Sequence, residues 1–309
     1  MTPRPEVVVI GNVGVDTNVY LHTEEIDFSV EANFVETAEY VAHAGGIASR
    51  AYAQLGNRTA FIGHVGADPL GRWIRETFAR DGIATDALFI DPAGTARSIN
   101  FVFPDGRRKN FYDGKGHMEL HIEGEAREIC DAMFGHAKLA HFNLANWARE
   151  LLPMAKAHGV TIACDLQDVV SADDPYRQDF IEHADILFFS AVNHADPAPL
   201  MRAFLADAPP DRVVIAGMGA EGCALGAAEG VTYFPPVEMD APVRDTNGAG
   251  DTLAVGFLTS YVLDGYPLRE AVRRGQIAAR YTCALKATSD HLITRAQLDH
   301  FAGQQSGIG

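Results

Sequence analysis

A chain of 309 residues with 47% hydrophobic and 21% charged side chains carries enough apolar material for a large buried core, and four scattered cysteines are too few for a disulfide scaffold. A formal net charge of −16 excludes a broad nucleic-acid footprint, although a site on an acidic protein can still be locally positive. No apolar run has the length of a membrane span, and MTPRPEVVVIG leads into a strand-like run without a signal-peptide core. A cytoplasmic protein with neither membrane nor nucleic-acid partner is the expectation.

In chain order, VVVI (Val7–Ile10) predicts a first strand, continuous in hydrophobicity as a strand covered on both faces must be. Residues 18–43 then break the pattern with strand-like pieces and scattered charge. In AHAGGIASRAYAQLG (42–56), Gly45 and Gly46 precede a helix stopped at Gly56. Their bare backbone suits either a tight turn or a ligand that approaches closely. AFIG (60–63) predicts a second buried strand, and PLGRWIRETFARDG an amphipathic helix with Pro near its start and Gly past its end.

TARSINFVFPDGRRKNFYDG predicts a hairpin about a Pro-Asp-Gly turn. Arg107, Arg108 and Lys109 read as its solvated tip rather than an anion site. Phe101, Phe103, Phe111 and Tyr112 read as packing rather than as a platform for a base. HMELH places His117 and His121 four apart, but Glu119 does not follow the first His as the zinc-protease helix requires. Surface or hinge histidines are expected there. LAHF (139–142), VTIAC (160–164), DILFF (185–189) and VVIA (213–216) continue the buried strands. Cys130, Cys164, Cys223 and Cys283 lie far apart among mostly apolar neighbours and read as reduced thiols.

Alternating strands and helices predict an α/β fold with a doubly wound, mostly parallel sheet. Residues 1–17, 44–94 and 118–309 would form this core, and residues 18–43 and 95–117 a small β-sheet lid.

Two glycine-rich stretches carry the chemistry. GMGAEG supplies a literal G-x-G-x-x-G at Gly217, Gly219 and Gly222, but a dinucleotide fingerprint needs a helix next, and CALGAAEGVTYF reads as two strands. No Walker P-loop occurs. DTNGAGD (245–251) opens an apolar helix. Helix capping alone accounts for such residues. A sharper reading makes the amides of Gly248, Ala249 and Gly250 an anion hole, with Asp251 beside it as proton acceptor for a hydroxyl attacking phosphorus.

DTNGAGD followed by TLAVGF resembles the C-terminal signature of the ribokinase-like (PfkB-type) carbohydrate kinases at its defining positions. AGG, a helix, LG and IGHVGADPLG (62–71) resemble their N-terminal signature, and VIGNVGVD (9–16) their first strand and turn. The resemblance spans the chain. It implies Asp251 as catalytic base, Gly248, Ala249 and Gly250 as anion hole, and Asp16, Gly45 and Gly46 on substrate hydroxyls, with Asn143 among the substrate residues. It implies ATP with Mg²⁺ beside Gly217, Gly219 and Gly222, a monovalent-cation site (K⁺) at Asp245 and Asn247, and a homodimer through the lid. Three positions depart from the pattern. Arg50 replaces an Asn after the glycine pair, Ser190 and Asn193 stand where N-x-x-E orders Mg²⁺-linked water, and Gly217 replaces a Thr. Arg50 is either structural or a reader of an anionic substrate.

The expected function is an ATP-dependent kinase that phosphorylates a sugar hydroxyl. A nucleoside or sugar-phosphate kinase of the same fold is the alternative, as is a sugar-binding sensor with little activity.

Overall fold

In the computed structural model, which describes residues 4–206 and 208–305, all four side chains of β1 (Val7–Ile10) are fully buried. They alternate between two cores. Val7 and Val9 join one apolar cluster, and Val8 and Ile10 join another on the opposite face of the sheet. That two-sided burial explains the continuous hydrophobicity of the strand.

The chain continues through β2 (Gly14–Leu21), β3 (Val35–Ala42), β4 (Thr59–Val65), β5 (Ala84–Ile90), β6 (Ala96–Val102) and β7 (Arg108–Asp113). It then forms β8 (Leu139–Phe142), β9 (Thr161–Asp165), β10 (Ile186–Ser190), β11 (Val213–Gly217), β12 (Cys223–Ala227) and β13 (Gly230–Phe234). Nine of them build one sheet in the order β13-β12-β11-β10-β9-β8-β1-β4-β5. Its pairings are parallel from β11 through to β5, and antiparallel where β12 and β13 are added. Helices Leu268–Cys283 and Ala249–Leu258 pack on the Val7 face, and helices Gly124–Phe134 and Ala198–Ala206 on the other. Helix Pro69–Arg80 starts where Pro69 is pre-set for the first turn and Asp68 caps it by accepting from the Gly71 amide at 2.8 Å.

The other four strands form a second sheet, β3-β2-β6-β7. It begins at Gly14, upstream of the expected boundary at 18, so Asp16 lies on the small sheet itself. Cross-strand register aligns Tyr40, Asp16, Ser98 and Tyr112 in one row, and Ala38, Asn18, Asn100 and Asn110 in the next. Glu36, Tyr20, Val102 and Arg108 make a third. Side chains alternate across a strand, so these rows share one face. The opposite face carries Ile99 and Phe111, both exposed. Among the described residues no helix is long and apolar enough to cross a membrane.

Candidate active site

Gly248 sits immediately before helix Ala249–Leu258 in the left-handed region, at φ 76°. A Cβ there would lie 2.9 Å from Thr288 Cγ2 and 3.1 Å from Ile47 Cδ1, so both conformation and space demand glycine. Gly250 is the converse case. A Cβ on it would meet nothing within 4 Å, which leaves the first helical turn facing open space. First-turn amides have no acceptor within the helix, and the dipole favours negative charge there. The Ala249 amide is engaged at 3.3 Å by the Thr246 carbonyl, so it contributes less to an anion hole than the sequence suggests.

Asp251 stands in this turn, partly open to the cleft. Its pKa is pushed up to about 8, chiefly by desolvation. The neighbouring Asp165 carboxylate adds to that rise, as does Asp16, while the Arg108 guanidinium opposes it. Asp165, at the end of β9, is itself raised to about 6, mainly by desolvation. Two carboxyl groups with raised pKa values thus face one open helix terminus, a feature typical of proton-transfer sites.

Asp16 is joined to this terminus through Asn247, whose Nδ2 donates to Asp16 Oδ2 at 2.8 Å. Asn100 Nδ2 donates to the same oxygen at 3.0 Å. The other oxygen, Oδ1, is buried and has no hydrogen-bond partner, with His43 Nε2 3.4 Å away. Both amide atoms of Asn143 are likewise buried without a partner. Burial lowers the pKa of His43, which favours the neutral ring, while Asp16 opposes that shift. It lies 3.0 Å from Ser98 Oγ and against the Tyr112 ring. Asn12 Nδ2 donates to the Tyr112 hydroxyl at 3.0 Å and lies 3.2 Å from His117 Nδ1. Unsatisfied buried polar atoms are costly unless a ligand or water completes them, and a polyhydroxylated ligand has the donors and acceptors to do so.

Asp245 has a different part. Its Oδ2 accepts from Asn18 Nδ2 at 2.7 Å and from the Tyr20 hydroxyl at 2.8 Å, and its Oδ1 from the Asn247 amide at 2.9 Å. Asn247 Oδ1 accepts from Arg108 Nη1, and its carbonyl from Thr288 Oγ1 at 2.7 Å. Donors within the chain already engage these oxygens, so a monovalent cation here would have to share them.

The positions expected to order Mg²⁺-linked water are exposed and partly engaged within the chain. Ser190 Oγ accepts from the Val192 amide, and Asn193 Nδ2 donates to the Asp168 carbonyl at 2.9 Å. Among the described residues no cluster of three or more acidic, His or Cys side chains could hold a metal. Gly217, Gly219 and Gly222 lie at the antiparallel β11–β12 connection, with no dinucleotide-type helix after them. Gly222 adopts φ 94°, and a Cβ there would run into the Phe234 carbonyl at 2.2 Å. A cavity of about 220 Å³ opens beside this turn, lined by Ala191, His194, Ala195, Met218 and Glu221.

Several expected site residues are placed elsewhere or used internally. Arg50 donates to Asp81 at 2.7 Å and to Ser289 and Asp290 at 2.8 Å, which assigns it the structural role. Gly45 and Gly46 are buried against the chain's own Asn12 and Val13, so the close packing there already requires glycine. Phe101 and Phe111 stack edge to face on the outer side of the small sheet, away from the polar rows. Of the two HMELH histidines, His121 pairs with Glu150 at the surface, whereas His117 turns toward Asn12. All four cysteines are free thiols. Asp165, Asn18, Tyr20, Asn100 and His43 went unread in the sequence, and Arg108 was read as a solvated tip. The available signal was the period-two spacing of Asp16, Asn18 and Tyr20, and of Ser98 and Asn100, on strands whose alternate positions are mostly apolar.

The family model for pfkB family carbohydrate kinases matches residues 4–295. The acarbose 7(IV)-phosphotransferase of an Actinoplanes species is 32% identical over 301 residues, covering 96% of this chain and 98% of that protein. The 5-dehydro-2-deoxygluconokinase of Geobacillus thermodenitrificans is 23% identical, covering 96% and 92%. Among solved structures, a microbiome-derived acarbose kinase, Mak1, superposes with a TM-score of 0.86 at 27% identity, covering 97% and 99%. Arabidopsis thaliana ribokinase, solved with ribose and ATP, superposes at 0.76 with 18% identity over 97% and 99%, a likeness of fold. With the family model matching nearly its whole length, and a helix terminus, carboxylates and unsatisfied polar wall gathered in one cleft, the chain belongs to the pfkB family of carbohydrate kinases and is a phosphotransferase.

Proposed function

We propose that the protein transfers the γ-phosphoryl group of ATP to a carbohydrate hydroxyl, with Asp251 as general base. The observation that carries this reading is the single hydrogen-bonded line from Asp16 through Asn247 to the open first turn that bears Asp251. Asp16 Oδ1 and the amide of Asn143 would hold acceptor hydroxyls, and the first-turn amides the phosphoryl oxygens. The acceptor oxygen attacks phosphorus as its proton passes to Asp251, and the bond from phosphorus to the departing ADP oxygen breaks in line. The nucleotide would lie toward the β11–β12 turn, where the cavity beside Met218 and Glu221 is open. A divalent cation would arrive on its phosphates, since among the described residues no three acidic, His or Cys side chains gather to hold one.

The small sheet, built from β2, β3, β6 and β7, would act as a lid over the cleft, its polar rows against the acceptor. Its outer face, with Ile99 and Phe111, and the adjoining Phe28 and Phe34 would be covered by a second copy of the chain. Because two similar proteins act on acarbose, α-linked pseudo-oligosaccharides stand first among acceptors to try. ADP release should be measured with acarbose, ribose, fructose, 5-dehydro-2-deoxygluconate and adenosine. One carbohydrate should support turnover that Asp251→Asn nearly abolishes while acceptor binding persists. Selective turnover of adenosine, or an Asp251→Asn variant with most of its rate, would overturn the reading.

A further inference from the structure

Arg108 starts β7 on the polar face of the small sheet, in line with Tyr20. Its Nη1 crosses the cleft to donate to Asn247 Oδ1, one residue before Gly248. Of the neighbouring cations, Arg107 is neutralised by Asp105 and Lys115 by Asp113, while Lys109 lies on the opposite face of the sheet, paired with Phe101. Arg108 has no such acid partner among the described residues. A guanidinium has five donors in a planar fork, so its single bond to Asn247 leaves others for a phosphoryl oxygen.

We propose that Arg108 is a lid-borne cation of the anion hole, carried to the transferring phosphoryl group when the small sheet closes over the cleft. The inference rests on the phosphoryl-transfer reading above. As the acceptor oxygen bonds to phosphorus and the bond to ADP breaks, negative charge spreads over the equatorial oxygens, where this guanidinium would stabilise it. The same cation favours the charged form of Asp251. Asp251 is faced by Asp165 from β9 and by Asp16 from β2, with His43 and Tyr40 around Asp16, and Arg108 is the positive charge set against those acids. Closure would therefore loosen the hold of Asp251 on its proton when the acceptor is enclosed. An open lid leaves Asp251 with the two acids alone and its proton held more tightly.

The test compares Arg108→Gln and Arg108→Lys with the unaltered full-length protein. With the acceptor found above, Arg108→Gln should lower kcat by about 100-fold, as loss of one anion-hole donor does, with little change in acceptor KM. The acidic limb of its pH–kcat profile should move to higher pH, and Arg108→Lys should recover part of both effects. Independently of turnover, the Asp251 carboxyl signal in carbon-13-aspartate spectra, assigned by its absence in Asp251→Asn, should titrate at higher pH in Arg108→Gln. A protein that phosphorylates no acceptor would defeat the proposed function, yet the titration would still read Arg108 against Asp251. An unmoved titration, or an Arg108→Gln enzyme with unchanged kcat, overturns the inference.

Discussion

Asp251 is held where a carboxylate is least comfortable. Its pKa of about 8 in the folded protein stands far above the value near 4 of an unfolded chain, so the folded state keeps a proton that the unfolded state gives up. Stability from this group is therefore fully present below about pH 4 and is lost as pH rises through about 8. Asp251→Asn should melt a few degrees above the parent at about pH 8, with the gap closing toward pH 4. A variant that melts lower at alkaline pH would contradict the buried-charge account. At Asp245 the prediction concerns ions. Because Asn18, Tyr20 and the Asn247 amide already satisfy its oxygens, replacing K⁺ with Na⁺ or choline should leave kcat unchanged. Strong activation by K⁺ alone would show that these bonds open to admit it. The Asp251 turn was legible in the sequence because its parts are contiguous. Arg50 was not, since the acids that claim it, Asp81 and Asp290, lie far along the chain and no local pattern selects them.

The helix beginning at Ala249 shows how an element can be tuned at one residue. Gly248→Ala must either hold a strained left-handed backbone or shift the terminus away from Thr288 and Ile47. It should cost about 1–3 kcal/mol in urea unfolding and reduce turnover more than Gly250→Ala does, because space around Gly250 is open. Equal stability of the two variants would refute that distinction. The buried parallel strands were legible because burial on two faces leaves only one kind of residue, as in VVVI. The edge strand β5 was passed over, since ATDALFI is only partly buried and mixes polar with apolar positions. GMGAEG matched a fingerprint by letters, yet the strand that follows shows its glycines answering to a tight β11–β12 connection. The polar face of the small sheet was the least legible feature. Each strand supplies two or three residues, and only register brings Asp16, Ser98 and Tyr112 into one row.

Across the whole molecule, the two faces of the small sheet divide polar from apolar contacts. The outer face exposes Phe111 and Ile99, and the loop between β2 and β3 exposes Phe28 and Phe34 almost completely, a patch suited to a second copy. Sedimentation should give the mass of two chains, and Phe28→Asp with Phe111→Asp should give one. A monomeric parent protein would refute the pairing. The inner face has a different history during synthesis. Asp16, Asn18 and Tyr20 leave the ribosome early, but their partners Asp245 and Asn247 are translated more than 200 residues later. Until then those groups have water, or nothing, to satisfy them. Native contacts of such sequence separation are slow to form and expose intermediates to aggregation. The small sheet should be among the last regions to gain protection as the nascent chain folds, and the site should mature in one step with the arrival of the helix that carries its base.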